Sequence, residues 1–272
     1  MKFAICNETF NQGQSFEEVC QCAGECGYDG VELAPFPFGD DIRDLTADDR
    51  KKIVQTAKDH QLDIVGVHWC LITPKGLHIN CKDKETIEFT KKFYNDLIRF
   101  CADLGGGVMV HGSPKQRNWE PGEPYQDVFN RTVDFFQSCM GTAAECGVTV
   151  LIEPLSHAET NFINRAQDGL DLIEAVGHPN FQLHLDVKAM HGGEYAPPAD
   201  VIRQFKDVVK HIHANDPNLK GPGQGDVDHA PVAAALKDIG YDGYVSVEVF
   251  DYTPDAETIA KQSIEYLKKV YG

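Results

Sequence analysis

The chain has 272 residues, 42% of them hydrophobic, and a formal net charge of −17 at pH 7. This length suits one α/β barrel with a substantial core, and since no Pro- or Ser-rich linker divides the chain, we expect a single domain over residues 1–272. Nucleic-acid binding needs clustered Lys and Arg, so the acidic charge argues against a nucleic-acid partner. It favours a neutral or metal-bridged small molecule.

The first residues and the cysteines indicate the compartment. Met1-Lys2 is followed at once by the strand-like sequence F-A-I-C-N, which leaves no room for the apolar core of a signal peptide. No apolar run is long enough to span a bilayer, so we expect no membrane partner. The nine cysteines are then expected to be reduced thiols in a cytoplasmic protein.

Short apolar segments alternate with helix-like segments, a pattern typical of a parallel sheet with crossover helices. The predicted strands lie near residues 3–8, 30–35, 64–70, 108–112, 148–154, 181–187, 209–214 and 244–250. Eight strands, each followed by a helix, predict an α/β fold with a single closed (β/α)8 TIM barrel. The sequence G-Y-D-G recurs at 27–30 and 240–243, each time at the start of a predicted strand. This recurrence supports an internal repeat of the strand-and-helix unit.

The stretch V-T-V-L-I-E-P-L at 148–155 reads as a strand that is buried on both faces and carries one carboxylate, Glu153, to its end. An ionised carboxylate in such a place needs a cation, a hydrogen-bond network or a shifted pKa. On this strand alone, a carboxylate that caps a loop or pairs with a neighbour fits equally well.

Strand alternation sorts the side chains into an outer and an inner face. In the strand at 181–187 the apolar residues share one face, while His184 and Asp186 share the other. The apolar face should meet the helices, so the polar face should point into the barrel. The same parity places these residues inside: Glu32, His68, His111, Glu153, His211, His213 and Glu248. Most lie toward the C-terminal ends of their strands, where barrel enzymes have their active sites.

Four of these inner residues suggest a metal site, because they come from four consecutive strands and can converge at the mouth of the barrel. They are Glu153, Asp186, His213 and Glu248. Three carboxylates and one imidazole suit one divalent metal ion, with Mn²⁺ preferred and Mg²⁺, Co²⁺ or Zn²⁺ as alternatives. The competing interpretation is a polar core network of carboxylates and histidines with raised pKa values.

Five segments resemble successive motifs of the xylose-isomerase-like barrel superfamily: L-I-E-P-L, L-H-L-D-V-K, H-I-H-A-N-D, G-P-G-Q-G-D-V-D and V-S-V-E-V-F. That superfamily includes ketose 3-epimerases, hydroxypyruvate isomerases, inosose dehydratases and abasic-site endonucleases. The resemblance implies that the four residues named above are the metal ligands and that Glu159 contacts the substrate. Because dimers and tetramers are usual among similar proteins, it also leaves a homo-oligomer open.

Two positions depart from the epimerase pattern. Ala189 stands where those epimerases carry a substrate-binding histidine, and Leu219 stands where they carry an arginine. His191 and Lys220 lie nearby in the sequence and are candidates to replace them. Specificity for a ketohexose is therefore not implied.

The endonuclease branch uses three metals. Its ligand pattern is partly present in His68, His111 and either Asp226 or His229. Ala189, however, replaces one of its histidine ligands, and the acidic charge disfavours DNA.

The residues and the resemblance together predict a divalent-metal-dependent isomerase or epimerase that acts on a ketose or related hydroxyketone, a small sugar-like substrate, through an enediolate. Glu153 and Glu248 would form the catalytic acid/base pair on opposite sides of the substrate. The alternatives are a metal-dependent dehydratase acting on an inosose or oxo-sugar, and a non-catalytic sugar-binding barrel.

Further residues are predicted to contact the substrate. His68 and His111 would donate hydrogen bonds to it or orient the metal ligands. The segment 113–124 is long and turn-rich for a βα loop; as a lid it would bring Lys115, Arg117 and Trp119 to the substrate, and the other interpretation is a solvated loop. Trp69 has outward parity, which favours packing against helices over a sugar-binding wall.

Overall fold

The computed structural model describes residues 1–10 and 13–272. Eight parallel strands are hydrogen-bonded in chain order and close into a barrel, with β8 paired to β1. The strands are β1 Lys2–Cys6, β2 Gly30–Leu33, β3 Asp63–Val67, β4 Val108–His111, β5 Thr149–Ile152, β6 Phe181–Asp186, β7 Val209–Ala214 and β8 Tyr244–Val247. The TIM-barrel prediction is confirmed, although most strands end one to three residues before the predicted ends.

Helices surround this barrel. Those in the described part of the chain are α1 Phe16–Cys26, α2 Ala47–Asp59, α3 Lys84–Asp103, α4 Tyr125–Cys146, α5 Ala166–Val176, α6 Val187–Gly193, α7 Pro198–Gln204, α8 Ala230–Asp238 and α9 Ala256–Val270, with short 3₁₀ turns at 7–10, 36–38, 42–44 and 114–116. None of the helices in residues 1–10 and 13–272 combines the length and the apolarity needed to cross a membrane.

Local sequence signals explain where several helices begin and end. Ser15 accepts a hydrogen bond from the Glu18 backbone, and the Glu18 side chain accepts one from the Ser15 backbone, so α1 begins with a capping box. At the other end Gly27 takes a left-handed conformation, with φ of 82°, that closes the helix. Gly147 does the same after α4, with φ of 67°. These turns return the chain to the start of β2 and of β5.

Two layers of side chains follow from the strand alternation. On the outer face of β5 and β6, Val150, Ile152, Phe181 and Leu183 are fully buried within the apolar core beneath the helices. Burial of each such side chain stabilises the fold by about 1.5–3 kcal/mol. On the inner face, Glu32, His184, His211 and His213 are buried in the barrel. The polar inner residues are therefore directed toward the centre and the C-terminal mouth.

Candidate functional site

The four predicted metal ligands lie together at the C-terminal mouth of the barrel. Glu153 and Glu248 directly follow β5 and β8, while Asp186 and His213 are partners in the register of β6 and β7. One ligand atom from each residue lies within 4.8 Å of the others, and all four residues are buried. Three carboxylate oxygens and one imidazole nitrogen at this spacing could hold a hard or borderline divalent cation.

The electrostatics of this cluster also fit a cation. Burial, together with the charges of Glu248 and Asp186, raises the pKa of Glu153 well above its usual range. Burial likewise raises the pKa of Asp186, to about 6. Burial acts in the same direction on Glu248, but the charge of His213 and hydrogen bonds from His213 and His68 outweigh it and hold the pKa of Glu248 well below its usual range. The crowded carboxylates repel one another, and a divalent ion would neutralise them.

Neighbouring polar groups hold the imidazole and the aspartate in position. Glu32 contacts His213 Nε2 at 3.1 Å and His211 Nε2 at 2.7 Å, while His213 Nδ1 lies 3.1 Å from Glu248. Asn215 Nδ2 donates to Asp186 Oδ2 at 2.6 Å, and the Ala189 backbone N–H donates to Asp186 Oδ1 at 2.6 Å. Such partners fix the orientation of metal-binding side chains. The sequence placed Glu32 inside the barrel but did not identify the role of Asn215.

His68 lies at this site, as its inward parity predicted. Its Nδ1 is 3.3 Å from Glu248 Oε1, and its Nε2 is 2.9 Å from Glu8 Oε2. All three residues are buried, so His68 orients Glu248 from the side of β3. Glu8 falls within the strand predicted at 3–8 but was not selected from the sequence; it lies in the 3₁₀ turn after β1.

A cavity of about 70 Å³ opens beside the two glutamates, and Trp69, Glu153, Glu159, Glu248 and Phe250 are among its lining residues. The indole Nε1 of Trp69 donates to Glu248 Oε1 at 3.1 Å. The outward placement of Trp69 was therefore wrong. The strand β3 ends at Val67, and Trp69 has a φ of 54°, so the alternation does not extend to it.

Glu159 lies in the same cavity, next to a lysine that sequence reasoning did not select. Lys188 Nζ lies 2.7 Å from Glu159 Oε1, and Ser156 Oγ donates to Glu159 Oε2 at 2.7 Å. Lys188 is the last residue of the motif L-H-L-D-V-K, and the parity of β6 places it on the same face as Asp186, but it was not predicted to contact the substrate. Its position beside the cavity depends on the turn into α6.

The predicted inward position of His111 is wrong. Its ring makes edge contacts with Tyr94 of α3 and Phe136 of α4, at centroid distances of 5.7 and 5.1 Å, and the Tyr94 hydroxyl lies 3.3 Å from Nδ1. Burial, together with the charge of Arg117, lowers the pKa of His111 well below its usual range. In the register, His111 pairs with the helix-facing Ile152. It therefore lies between the strand and the helices and does not reach the cavity.

The segment 113–124 does not bring Lys115, Arg117 or Trp119 to the cavity beside Glu153 and Glu248. Arg117 is fully buried and donates to the backbone oxygens of Glu153 at 2.7 Å and Ile163 at 3.3 Å. Trp119 Nε1 donates to the Glu123 backbone oxygen at 2.9 Å. Lys115 is exposed and is not among the residues that line the cavity.

His191 and Lys220, the proposed substitutes for the missing substrate-binding pair, also lie elsewhere. His191 is exposed and lines a separate cavity of about 440 Å³ together with Asp216 and Asp226. Lys220 Nζ is 3.8 Å from Asp251 Oδ2. Neither residue lines the cavity beside Glu153.

The three-metal pattern of the endonuclease branch is not assembled. His111 lies outside the barrel, as described above. His229 is buried with its Nδ1 2.7 Å from the Tyr271 hydroxyl and its Nε2 3.6 Å from Asp216 Oδ2. Asp226 is part of the separate 440 Å³ cavity.

Comparisons with known proteins agree with the barrel fold. A family model described as "Xylose isomerase-like TIM barrel" matches residues 20–270. A protein from Synechocystis sp. named "Probable ketose 3-epimerase" is 25% identical, with 94% of this chain and 91% of the relative covered. A D-psicose 3-epimerase from Ruminiclostridium cellulolyticum is 29% identical over 82% of this chain and 74% of the relative. A solved D-psicose 3-epimerase superposes with a TM-score of 0.87, at 20% identity and with 100% of both chains covered, a likeness that concerns the fold.

Proposed function

Because the chain belongs to the xylose isomerase-like TIM barrel family, we propose that it is a divalent-metal-dependent epimerase or isomerase acting on a ketose or related hydroxyketone. The observation that carries the proposal is the convergence of three carboxylates and one imidazole beside a cavity that contains two of those carboxylates. Relatives named as ketose and D-psicose 3-epimerases support it. By its donor set the site prefers Mn²⁺, with Mg²⁺, Co²⁺ or Zn²⁺ as alternatives.

Glu153, Asp186, His213 and Glu248 would hold the cation. A divalent cation there would supply the Lewis acidity that makes a C–H bond beside a carbonyl acidic and stabilises an enediolate. The remaining chemistry is proton transfer, which the protein's own side chains perform.

Glu153 and Glu248 both line the cavity and are the proposed acid/base pair. They reach the cavity from two different strand ends, those of β5 and β8. One removes the proton from the carbon beside the carbonyl, and the other returns a proton from the opposite side, which inverts that carbon.

Other residues would keep this pair in place and limit the access of water. Trp69 Nε1 donates a hydrogen bond to Glu248 Oε1 at 3.1 Å, and the Arg117 guanidinium donates one to the backbone oxygen of Glu153 at 2.7 Å. Trp69 and Phe250 lie 6.1 Å apart, measured between ring centroids, and form an apolar wall of the cavity. Fixed carboxylates in a partly dry cavity favour a bound geometry close to that of the reaction.

The test is solvent deuterium exchange. The Mn²⁺-loaded wild type should incorporate deuterium from D₂O into a ketose substrate, followed by NMR across a panel of ketoses, inososes and oxo-sugars. Glu153→Gln and Glu248→Gln should each slow the exchange by about 10²-fold or more, because an amide cannot transfer the proton. Glu145→Gln, a change at an exposed position of α4, is the matched control and should exchange like the wild type.

Each contrary outcome has a definite meaning. Undiminished exchange in Glu248→Gln would contradict the two-glutamate mechanism. Sugar binding by the wild type without any exchange would favour a non-catalytic sugar-binding barrel, and loss of water from the substrate would favour a dehydratase. Full activity of a metal-free preparation, checked by elemental analysis after chelation, would refute the requirement for a metal.

A further inference from the structure

A buried ammonium group lies at the edge of the cavity. Lys188 is 9% exposed, and its Nζ is 2.7 Å from Glu159 Oε1 and 4.0 Å from the centroid of the Phe250 ring. Glu159 and Phe250 both line the cavity that contains Glu153 and Glu248. Lys188 is not itself a lining residue, but its ammonium lies beside two lining side chains, one acidic and the other aromatic, at the rim of the cavity.

The backbone fixes this lysine relative to the predicted metal ligands. The Lys188 N–H donates to Asn215 Oδ1 at 2.9 Å, and Asn215 Nδ2 donates to Asp186 Oδ2 at 2.6 Å. Asp186 also accepts the Ala189 N–H as the N-cap of α6. One asparagine thus connects the backbone of Lys188 to a carboxylate of the four-residue cluster, so the ammonium has a defined place beside it.

The ammonium retains hydrogen-bonding capacity. A lysine ammonium carries three N–H donors. Within residues 1–10 and 13–272, the Lys188 side chain donates one hydrogen bond, to Glu159. Donors with so little exposure are favourable only when acceptors reach them. The hydroxyl and keto oxygens of a sugar in the adjoining cavity are acceptors of the right kind.

We propose that Lys188 is a substrate-binding residue that determines specificity: its ammonium donates to a hydroxyl or keto oxygen of the sugar, while Glu159 accepts from a neighbouring hydroxyl. The proposal rests on the proposed function in assuming that the cavity binds a sugar. Glu159 already neutralises the ammonium, and the other ionisable lining residues include Glu153 and Glu248. The pair therefore suits an uncharged keto sugar and disfavours a sugar phosphate.

The test compares Lys188→Met and Lys188→Arg with Lys51→Met, which removes the ammonium of an exposed lysine of α2 that lies 3.1 Å from Asp48. Three quantities are measured for each Mn²⁺-loaded protein: KM and kcat in the exchange assay, sugar affinity from tryptophan fluorescence, and Mn²⁺ affinity by calorimetry. Lys188→Met should weaken sugar binding by about 10- to 100-fold, the usual effect of losing a charge-assisted hydrogen bond. Its Mn²⁺ affinity should stay within about threefold of the wild type. If Lys188 only supported the structure of the site, Mn²⁺ binding would weaken as well.

The controls separate the possible failures. Lys51→Met should match the wild type, and Lys188→Arg should recover part of the affinity, because it keeps the charge but changes the donor geometry. Wild-type sugar affinity in a folded Lys188→Met protein would overturn the proposal, as would tighter binding of a ketose phosphate than of the free ketose. If Lys188→Met does not fold, the wild-type comparison of free ketose with ketose phosphate decides, and tighter binding of the phosphate overturns the proposal.

The two proposals fail in different ways. Lys188-dependent sugar binding without deuterium exchange would remove the epimerase function and keep the role of Lys188. If Lys188→Met and the wild type show the same exchange rate and the same sugar affinity, the role of Lys188 is refuted and the epimerase function stands.

Discussion

Gly112 sets the position of the Glu153 carboxylate. It directly follows β4, and a Cβ added there would overlap Glu153 Oε2. In Gly112→Ala we expect the carboxylate to rotate away, because the end of a side chain moves more easily than the backbone. Mn²⁺ affinity, measured by calorimetry, should then fall by about tenfold, as for other changes that disorient a metal ligand.

A matched glycine provides the control for this substitution. Gly141 lies in α4, where an added Cβ would meet nothing within 4 Å. Gly141→Ala should leave both the Mn²⁺ affinity and the unfolding temperature unchanged or slightly raised. Unchanged affinity in Gly112→Ala as well would show that the position of Glu153 does not limit metal binding.

The raised pKa values of two carboxyl groups give metal binding a specific pH dependence. Burial raises the pKa of Glu153, and it raises the pKa of Asp186 to about 6. A cation must displace the protons that these groups hold, so its affinity should fall as the pH is lowered from about 8 to about 5.5. Calorimetry in two buffers of different ionisation enthalpy should detect proton release on Mn²⁺ binding near pH 6. Binding without proton release there would contradict this view.

At the scale of elements, the strands were predictable and some of their faces were not. Apolar runs located all eight strands. Parity held in β6, where polar residues alternate strictly with apolar ones, and it also placed His211 and His213 of β7 inside the barrel. In β4 the sequence Val108-Met109-Val110 is apolar on both faces, so composition could not assign a side to His111. Only the register with β5 places His111 beneath the helices.

The residues beyond the strand ends were predictable only in part. Glu153 and Glu248 lie one residue past their strands and keep the strand direction, so parity placed them correctly. Trp69 and Arg117 lie farther along, and their positions depend on a left-handed φ and on the distant backbone oxygen of Ile163. Such long-range contacts leave no periodic signal in the sequence.

Arg117 connects the loop after β4 to the end of β5, and this connection predicts a loss of stability. Arg117→Met keeps much of the apolar volume but removes the donors to the backbone oxygens of Glu153 and Ile163. The buried carbonyls would lose their partner, so we expect the free energy of unfolding to fall by about 2–4 kcal/mol. Urea denaturation would measure the change, and Mn²⁺ affinity should weaken with it, because the support for Glu153 is lost.

A surface arginine provides the comparison for Arg117. The Arg99 side chain is 52% exposed and lies 3.5 Å from Asp96, so Arg99→Met should change the free energy of unfolding by at most about 0.5 kcal/mol. An equally small effect of Arg117→Met would mean that the loop does not depend on the buried guanidinium.

At the scale of the whole molecule, the proposed ion would connect half of the barrel. Its four ligands lie at the ends of β5, β6, β7 and β8, and the unfolded chain has no such arrangement. A ligand that binds only the folded state at about 100 times its dissociation constant stabilises it by about 2.7 kcal/mol. For a chain of this size, that corresponds to a rise of roughly 5–10 °C in the unfolding temperature, measurable by calorimetry with Mn²⁺ and with a chelator.

The net charge of −17 offers a second explanation for a higher unfolding temperature with Mn²⁺, because any divalent cation screens the self-repulsion of an acidic protein. Asp186→Asn removes one proposed ligand and changes the net charge by a single unit. If the stabilisation comes from the four-residue site, the same Mn²⁺ concentration should raise the unfolding temperature of this variant far less than that of the wild type. An equal rise in both proteins would assign the effect to general screening and would remove the thermal shift as support for a bound ion.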